Sequence, residues 1–472
     1  MSVGRLARAG LGAALAALAG CAIGPSYHRP DVKPPASYRE QEGWTPVAPK
    51  DAIDRGAWWS VYGDATLDDL EKRVNVSNQT VKAAEAQYQQ ARALVWEARS
   101  AFFPTVGVSA NATRSASNSA ALGTGASAHP QNLFQLDGTA SWTLDIWGTI
   151  RRQFESQKAA AQVSAADLAN ARLSAQAELA VDYFNLRAAD SLDEMLTQSV
   201  AGYQRTAEIT ENQYHYGTAS RGDYMEARAQ LEATRAQLIA LRQTRGALEH
   251  AIAVLTGAFP SEFTVAHAPL AAEVPVVPVG VPSELLERNP VIAAAERQVQ
   301  QQSALIGVAE GTFFPQLTLS GLAGYASRTT SHLISLANRD WSIEGAATGT
   351  LLDAGGRFGQ VAAARAAWRQ SVANYRQTVL TTFQNVEDQL LALHTLQDEA
   401  VAAEGAADAA RQAAEVALEQ YKAGTVAFTT VIVANQTYLN AQQTVLTIQQ
   451  NRLVASVNLV AVLGGGWQAS SL

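Results

Sequence analysis

Phe134-Gln135-Leu136-Asp137-Gly138-Thr139-Ala140-Ser141-Trp142-Thr143-Leu144-Asp145 alternates apolar or small residues with polar ones for six periods without a break. A period of two sends successive side chains to opposite faces of a strand. One face therefore holds Phe134, Leu136, Trp142 and Leu144, and the other holds Gln135, Asp137, Thr139, Ser141, Thr143 and Asp145. Transmembrane barrel strands need about 9–11 residues with one side toward lipid and one toward a wet lumen, which is the split seen here.

The chain before this strand reads the same way. Phe102-Phe103-Pro104 stops a helical stretch over 65–99, because proline cannot continue a helix. Val106, Val108, Ala110 and Ala112 then alternate with Thr105, Gly107, Ser109, Asn111 and Thr113. The pattern predicts strands at about 105–115 and 133–146, joined by a Ser/Ala/Gly-rich loop.

The whole arrangement recurs. Phe313-Phe314-Pro315 leads into Gln316-Leu317-Thr318-Leu319-Ser320, 211 residues after Phe102-Phe103-Pro104 leads into its strand. The same offset takes Asn78 to Asn289, Ala84 to Ala295 and Gln87 to Gln298. Leu144-Asp145 then aligns with Leu352-Asp353, and Gln213-Tyr214-His215-Tyr216-Gly217-Thr218 with Gln420-Tyr421-Lys422-Ala423-Gly424-Thr425. A period near 200 residues makes the chain two copies of one plan. The second copy predicts strands at about 316–327 and 340–353. Leu322 interrupts the third strand's alternation, and marking the fourth by Trp341, Ile343 and Leu351 gives a parity that conflicts with the second strand unless a bulge resets it.

After each Asp turn the pattern becomes helical for an unusual distance. Residues 149–216 contain no proline and one glycine, enough for a helix of about 100 Å. The counterpart covers 357–423, and shorter helices return over 222–256 and 429–463. The expected organisation is a signal segment at 1–20, an N-terminal extension at 21–64, a first repeat at 65–256, a Pro-rich linker at 257–283, a second repeat at 284–463 and a tail at 464–472. The fold class is mainly α with a β-barrel membrane part, each repeat reading helix–strand–strand–long helix–helix.

Composition agrees with an extended, alanine-packed chain. Charged residues are 17% of the 472, below the usual quarter or so, and the formal charge is -8. An acidic balance argues against nucleic-acid binding, which needs basic stripes. The single cysteine excludes an intrachain disulfide and a thiolate-clustered metal site. That cysteine ends the series Leu18-Ala19-Gly20-Cys21, after a basic and then Ala/Leu-rich start with Arg5 and Arg8. The layout resembles a bacterial lipobox, in which Cys21 carries covalent lipid, as against a buried cysteine in an ordinary leader. Ala22 after it resembles an outer-membrane address. Gly-x-Ser-x-Gly, His-Glu-x-x-His and phosphate-loop motifs are all missing, so the sequence offers no catalytic residues, no metal ligands and no cofactor beyond the lipid.

Four strands cannot close a membrane barrel, and open edges are not tolerated in hydrocarbon. Two chains would supply eight strands around a filled interior; three would supply twelve around an aqueous bore. The other reading is a soluble coiled-coil protein with two hairpins, which leaves Phe134 and Trp142 in water.

In order and in duplicate, these motifs resemble the outer-membrane factor family, the TolC-like exit ducts, in their lipoprotein subgroup. The resemblance rests on Cys21-Ala22-Ile23-Gly24-Pro25-Ser26-Tyr27 with Pro30, and on Trp58-Trp59 with Tyr62, Asp64, Leu67 and Leu70. It rests also on the two Phe-Phe-Pro segments, Asp353-Ala354-Gly355-Gly356-Arg357 and Leu463-Gly464-Gly465-Gly466-Trp467. It implies a homotrimer with a 12-stranded outer-membrane barrel on a long periplasmic α-helical barrel. It also implies a periplasmic adaptor, an inner-membrane RND-type transporter, and passage of small molecules such as drugs without chemistry. A type I secretion duct and a non-conducting periplasmic scaffold lipoprotein are the alternatives.

Gly217, Thr218, Gly424 and Thr425 form the two turns that the resemblance places at the periplasmic tip, where an adaptor would dock. Asp223 and Glu226, three apart on one helix face, would form acidic rings in three copies; the bland alternative is an acidic helix start. Their second-repeat counterparts, Thr430 and Val433, carry no charge, which predicts an apolar and hydroxyl-lined gate there. Tyr214 and Tyr421 occupy equivalent positions before the turns, where the resemblance implies closed-state links between helices and ordinary packing is the alternative. Pro104, Gly148, Pro315, Gly355 and Gly356 are expected to shape the barrel-to-helix turns.

Overall fold

A computed structural model describes residues 22–41, 57–116, 130–271, 273–275 and 282–469. Cys21, the signal segment 1–20 and part of the Pro-rich linker lie outside the described residues. The helices are α1 (Ala65–Ser77), α2 (Gln79–Ser100), α3 (Thr149–His215), α4 (Arg221–Leu255), α5 (Pro282–Arg288), α6 (Pro290–Gly311), α7 (Gly356–Lys422) and α8 (Phe428–Val462). The strands are β1 (Thr105–Ser115), β2 (Gln131–Leu144), β3 (Gln316–Ser327) and β4 (Arg339–Thr348). Among the described residues no helix is long and apolar enough to cross a membrane.

The chain divides into two compact units, each drawn from both repeats: Met1–Asp31, Tyr88–Val163 and Ala295–Tyr375 in one, and Val32–Gln87, Ser164–Ala294 and Arg376–Leu472 in the other. The first holds the sheet, whose strands run β1-β2-β3-β4 with every neighbour antiparallel. Register aligns the apolar faces across all four strands. Val108 lies opposite Gly138, Gly138 opposite Ala323, and Ala323 opposite Trp341; Val106, Ala140, Gly321 and Ile343 form the next row. This face is bare: Val108 is 80% exposed, Ile343 81% and Trp341 66%. The opposite face carries Asp137, Thr139, Ser141, Thr318, Ser320, Ser342 and Glu344. The parity conflict expected for the fourth strand disappears, because β4 ends at Thr348 rather than 353 and Leu351 lies beyond it. No bulge is required. The second strand likewise sits two residues earlier than its expected span of 133–146.

The aspartates fix the turn after each hairpin. Asp145 accepts from the backbone N–H groups of Ile150 (2.9 Å) and Arg151 (3.0 Å) and pairs with the Arg151 guanidinium. Asp353 does the same with the Arg357 backbone (3.0 Å) and its guanidinium (2.7 Å). Each carboxylate thus satisfies helix-start donors that would otherwise lack partners. Gly148 and Gly355 take positive φ, +79° and +93°, whereas Gly356 already opens α7 and needs no such freedom. Pro104 and Pro315 each precede the first residue of a strand.

The helix expected over 65–99 is two helices broken at Asn78, and α5 and α6 break at Asn289 in the same way. Asn78 is extended (φ -61°, ψ 124°), and its side chain accepts from Val81 N–H at 3.1 Å as an N-cap. In the second unit Trp58 donates to Gln176 (3.2 Å), Tyr62 bonds Ser456 (2.8 Å), and Asp64 both caps α1 and accepts from Tyr183. The front of the Pro-rich segment is pinned rather than free. Asp190, fully buried on α3, accepts from Arg187, from Arg245 and from Ala268 N–H, while the two arginines donate to the carbonyls of Ala266 (2.6 Å) and Val265 (2.9 Å).

Candidate functional site

Two turns of the second unit hold most of the residues singled out from the sequence. α3 ends in Gly217 at φ +71°, with Thr218 N–H donating to Gln213 C=O at 2.8 Å and Thr218 Oγ1 donating to the same carbonyl at 3.0 Å. α7 ends in Gly424 at φ +74°, with Thr425 donating to Gln420 C=O through N–H (3.0 Å) and Oγ1 (2.9 Å). Glycine at the left-handed position and a 6→1 bond behind it make both turns Schellman stops. Threonine in the next place satisfies the same carbonyl twice.

The helices that follow begin differently. Ser220 and Asp223 form a reciprocal capping box at α4: Asp223 N–H donates to Ser220 Oγ (3.0 Å), and Asp223 Oδ2 accepts from Ser220 N–H (3.1 Å) and Ser220 Oγ (2.8 Å). α8 begins at Ala427, which has no side chain to cap with. Its start is held by apolar burial instead. Phe428, Val431 and Ile432 join Tyr203, Ala207, Ala227, Leu231 and Ala417 in one cluster. The second repeat thus replaces a polar cap with a greasy one, and the uncharged run 426–433 is the sequence trace of that exchange.

Tyr421 and Tyr214 occupy equivalent sequence positions but have different partners. Tyr421 donates to Gln213 Oε1 at 3.1 Å, joining α7 to α3, and its ring meets Phe428 at 5.2 Å. Burial, and after it the Asp223 charge, pushes the Tyr421 phenol up. Tyr214 instead stacks on Tyr224 within the first repeat (6.0 Å, 10° between planes), and Tyr224 donates to Glu211 at 2.9 Å. The structure therefore brings together Tyr421, Gln213, Asp223 and Phe428. Glu226 is half-buried one turn after Asp223, Thr430 is exposed, and Val433 is 63% exposed. Gln213, Ser220, Tyr224 and Phe428 join the residues that the sequence singles out; the Ser-x-x-Asp spacing is a readable cap, whereas no local signal pairs Gln213 with a tyrosine 208 positions away.

In the first unit the segment after Cys21 is laid against the barrel–helix turn. Ile23 N–H donates to Trp147 C=O (3.0 Å), and Arg152 donates to the carbonyls of Ile23 (3.0 Å) and Gly24 (3.2 Å). Ala22 lies so close that a Cβ on Gly148 would sit 2.7 Å from its Cα. Tyr27 donates to Glu296 and Arg29 to Tyr375 (3.3 Å) further along the same strap.

Comparison with known proteins fits this geometry. A profile of the family described as outer membrane efflux protein matches residues 71–258 and 281–465. The chain is 25% identical over 453 residues to the probable efflux pump outer membrane protein TtgC of Pseudomonas putida, covering 95% of this chain and 93% of that one. It is 27% identical to the outer membrane protein OprJ of Pseudomonas aeruginosa, covering 96% and 94%. The solved structure of the outer-membrane channel OprN superposes with a TM-score of 0.89 at 29% identity, covering 95% of this chain and all of that one.

Proposed function

The chain belongs to the outer membrane efflux protein family, and from that premise we propose that three copies join their four-stranded sheets into one 12-stranded barrel that opens to the outside. The chain is an outer-membrane channel component of an efflux pump. The finer reading is that the duct receives its cargo from a periplasmic adaptor and an inner-membrane RND-type transporter, and that Cys21 carries a lipid anchor.

The observation that carries a barrel shared between copies is the sheet itself, and an aqueous bore calls for three copies rather than two. Its apolar side chains share one face across four strands, and β1 and β4 remain as edges. Hydrocarbon tolerates neither an edge nor a lone sheet, so closure has to come from further copies. The strap at Ala22–Gly24 supports the anchor, because it leads the chain from Cys21 straight to the turn beside the sheet.

Single cysteines along β1 paired with single cysteines along β4 test closure. Crosslinking in outer membranes should give a ladder ending at three chains, and purified protein should form channels in a planar bilayer. A ladder ending at two, or the lack of any conductance even with a widened tip, would overturn the reading.

A further inference from the structure

Closing the sheet of the first unit on further copies fixes which residues meet at the seam. β4 has 10 residues and β1 has 11. The apolar stripe of β4 (Ala347, Gly345, Ile343, Trp341) must lie beside that of β1 (Val106, Val108, Ala110, Ala112), since a slip of one residue would turn one stripe into the lumen. With that parity, the 10 residues of β4 all find partners only when Thr348 lies opposite Thr105 of the next copy. A slip of two leaves ladder groups unpaired in hydrocarbon. The slope of the strands agrees. The hydrogen-bonded row from Thr105 runs through Ser141 and Ser320 to Glu344, four residues short of Thr348. Four residues of stagger over four strands is about 3.3 Å of rise per ~4.8 Å of sheet, a tilt of about 35°, in keeping with closed barrels.

In that register the end of the seam away from the helices sets Arg114 opposite Arg339. Each ends an apolar stripe, each is exposed, and neither has an ion pair among the described residues. The same face of the four strands carries no acid, because Asp137, Asp340 and Glu344 all have the opposite parity. Like charges directly opposite one another in a sheet repel, so the seam calls for an anion between them. Nine steps of β4 at that tilt raise the pair about 24 Å above Thr348. The apolar band of outer-membrane barrels is about 25 Å tall, which puts the arginines at the level of the lipid headgroups. Guanidinium forks suit phosphate oxygens. Asn132, paired with Arg114, and Tyr325, paired with Arg339, add neutral donors on the same face.

We propose that Arg114 of one copy and Arg339 of the next clamp the phosphate of a lipid headgroup in the outer leaflet, one site at each seam. The site rests on the shared-barrel reading above, because β1 and β4 are the two edges of the sheet and do not meet within one chain. A bound headgroup fastens neighbouring copies together where their ladder ends.

The test uses the full-length protein, purified as the assembled oligomer and exchanged into phosphatidylcholine nanodiscs. The probes are diphosphorylated lipid A, the same lipid stripped of its phosphates, and inorganic phosphate, with lipid retention read by mass spectrometry. Retention of the diphosphorylated lipid should saturate at one molecule per chain. The stripped lipid should be retained about fivefold less or worse, and excess inorganic phosphate should not displace the bound lipid. Arg114→Gln and Arg339→Gln should each lower retention by about fivefold or more, and the double variant little further, since either loss opens the same clamp. Arg376→Gln, at an exposed arginine on α7, should change nothing. The seam is read separately. Ala110→Cys with Ile343→Cys should crosslink chains up to the trimer, in the wild-type background and in both arginine variants, and so show that the barrel still closes. A trimer ladder with equal retention by Arg114→Gln, or with equal retention of the stripped lipid, would remove the site and leave the duct standing. Failure to crosslink at this seam would overturn the shared barrel and the site with it.

Discussion

Asn78 and Asn289 hold equivalent places in the two repeats and make equivalent bonds. Asn78 donates its side-chain amide to Leu255 C=O at 2.8 Å, and Asn289 donates to Val462 C=O at 2.8 Å. Each carboxamide oxygen meanwhile caps the next helix, through Val81 N–H for Asn78 and through Val291 and Ile292 N–H for Asn289. One buried side chain thus starts one helix and ends another. Replacing either by alanine removes a cap and leaves a carbonyl without its donor, which should cost about 1–2 kcal/mol. The asparagines lie in separate contacts, so thermal melts of the double variant should show additive losses. Asn→Asp keeps the cap but loses the donor and buries a charge, and should be no better than alanine.

That relationship also marks what the sequence could and could not reveal. The repeat alignment pairs Asn78 with Asn289; Pro290 marks a break after the second, since proline suits the first position of a helix and drives the residue before it out of one, whereas Gln79-Thr80-Val81 gives no such mark after the first. The strands were legible because alternation over Phe134–Leu144 is a long signal. The end of β4 was not, because Leu351 and Leu352 extend an apolar pattern past the last ladder bond. At the turns, Gly217 and Gly424 announced themselves. Asp223 reads from the sequence either as a ring-forming acid or as an acidic helix start, and within one chain its partner is Ser220, three residues before it. Glu71 was invisible for the opposite reason: it falls in the stripe of Leu67, Leu70 and Val74 on α1, and a charged residue there reads as surface.

Glu71 is fully buried, and neither of its carboxyl oxygens has a hydrogen-bond partner. Burial, with a smaller contribution from Asp68, pushes its carboxyl up to about 9. An acid raised in the folded state binds its proton more tightly folded than unfolded. Stability is therefore whole below the ordinary carboxyl range and falls as pH rises from about 4.5 to about 9, by up to about 1.4 kcal/mol per unit. Glu71→Gln should flatten that slope. Glu71→Leu should raise the melting temperature, more at pH 8 than at pH 5. Parallel pH profiles of the wild type and Glu71→Gln would count against a buried protonated carboxyl.

Asp190 anchors the segment between the repeats. Its carboxylate is fully buried between Arg187, itself 6% exposed in its side chain, and Arg245. Asp190→Asn should cost about 3–5 kcal/mol, because it strands a buried guanidinium rather than merely deleting a pair. Arg245→Met should cost less, since Arg187 still answers the carboxylate. Loss of backbone exchange protection around Val265–Leu270 in Asp190→Asn is the local readout.

The unequal caps at the two turns predict an unequal response. Ser220→Ala should destabilise the start of α4 by about 1 kcal/mol, while Ala427→Ser should stabilise α8 by supplying the cap it lacks. Hydrogen exchange at the two helix starts reads each effect separately. Protection unchanged in both variants would mean that packing of Phe428 and its neighbours already dominates.

If the tip is the gate, the bond from Tyr421 to Gln213 should help hold it shut, because it is a direct side-chain link from the last turn of α7 to the last turn of α3. Tyr421→Phe keeps the ring against Phe428 and removes only the donor. Single-channel recording should then show more frequent or longer openings, with the melting temperature lowered by no more than a degree or two, since one such bond contributes about 1 kcal/mol. Val433 offers the complementary test. It is a 63% exposed valine in a repeat without acids on its tip helix start. Val433→Asp would add a ring of negative charge in an assembled duct and should raise cation over anion permeability, whereas the same change at an outward-facing position should not. Unchanged selectivity in Val433→Asp, beside a clear effect of Tyr421→Phe, would locate the barrier at the tyrosine link and remove Val433 from the pore.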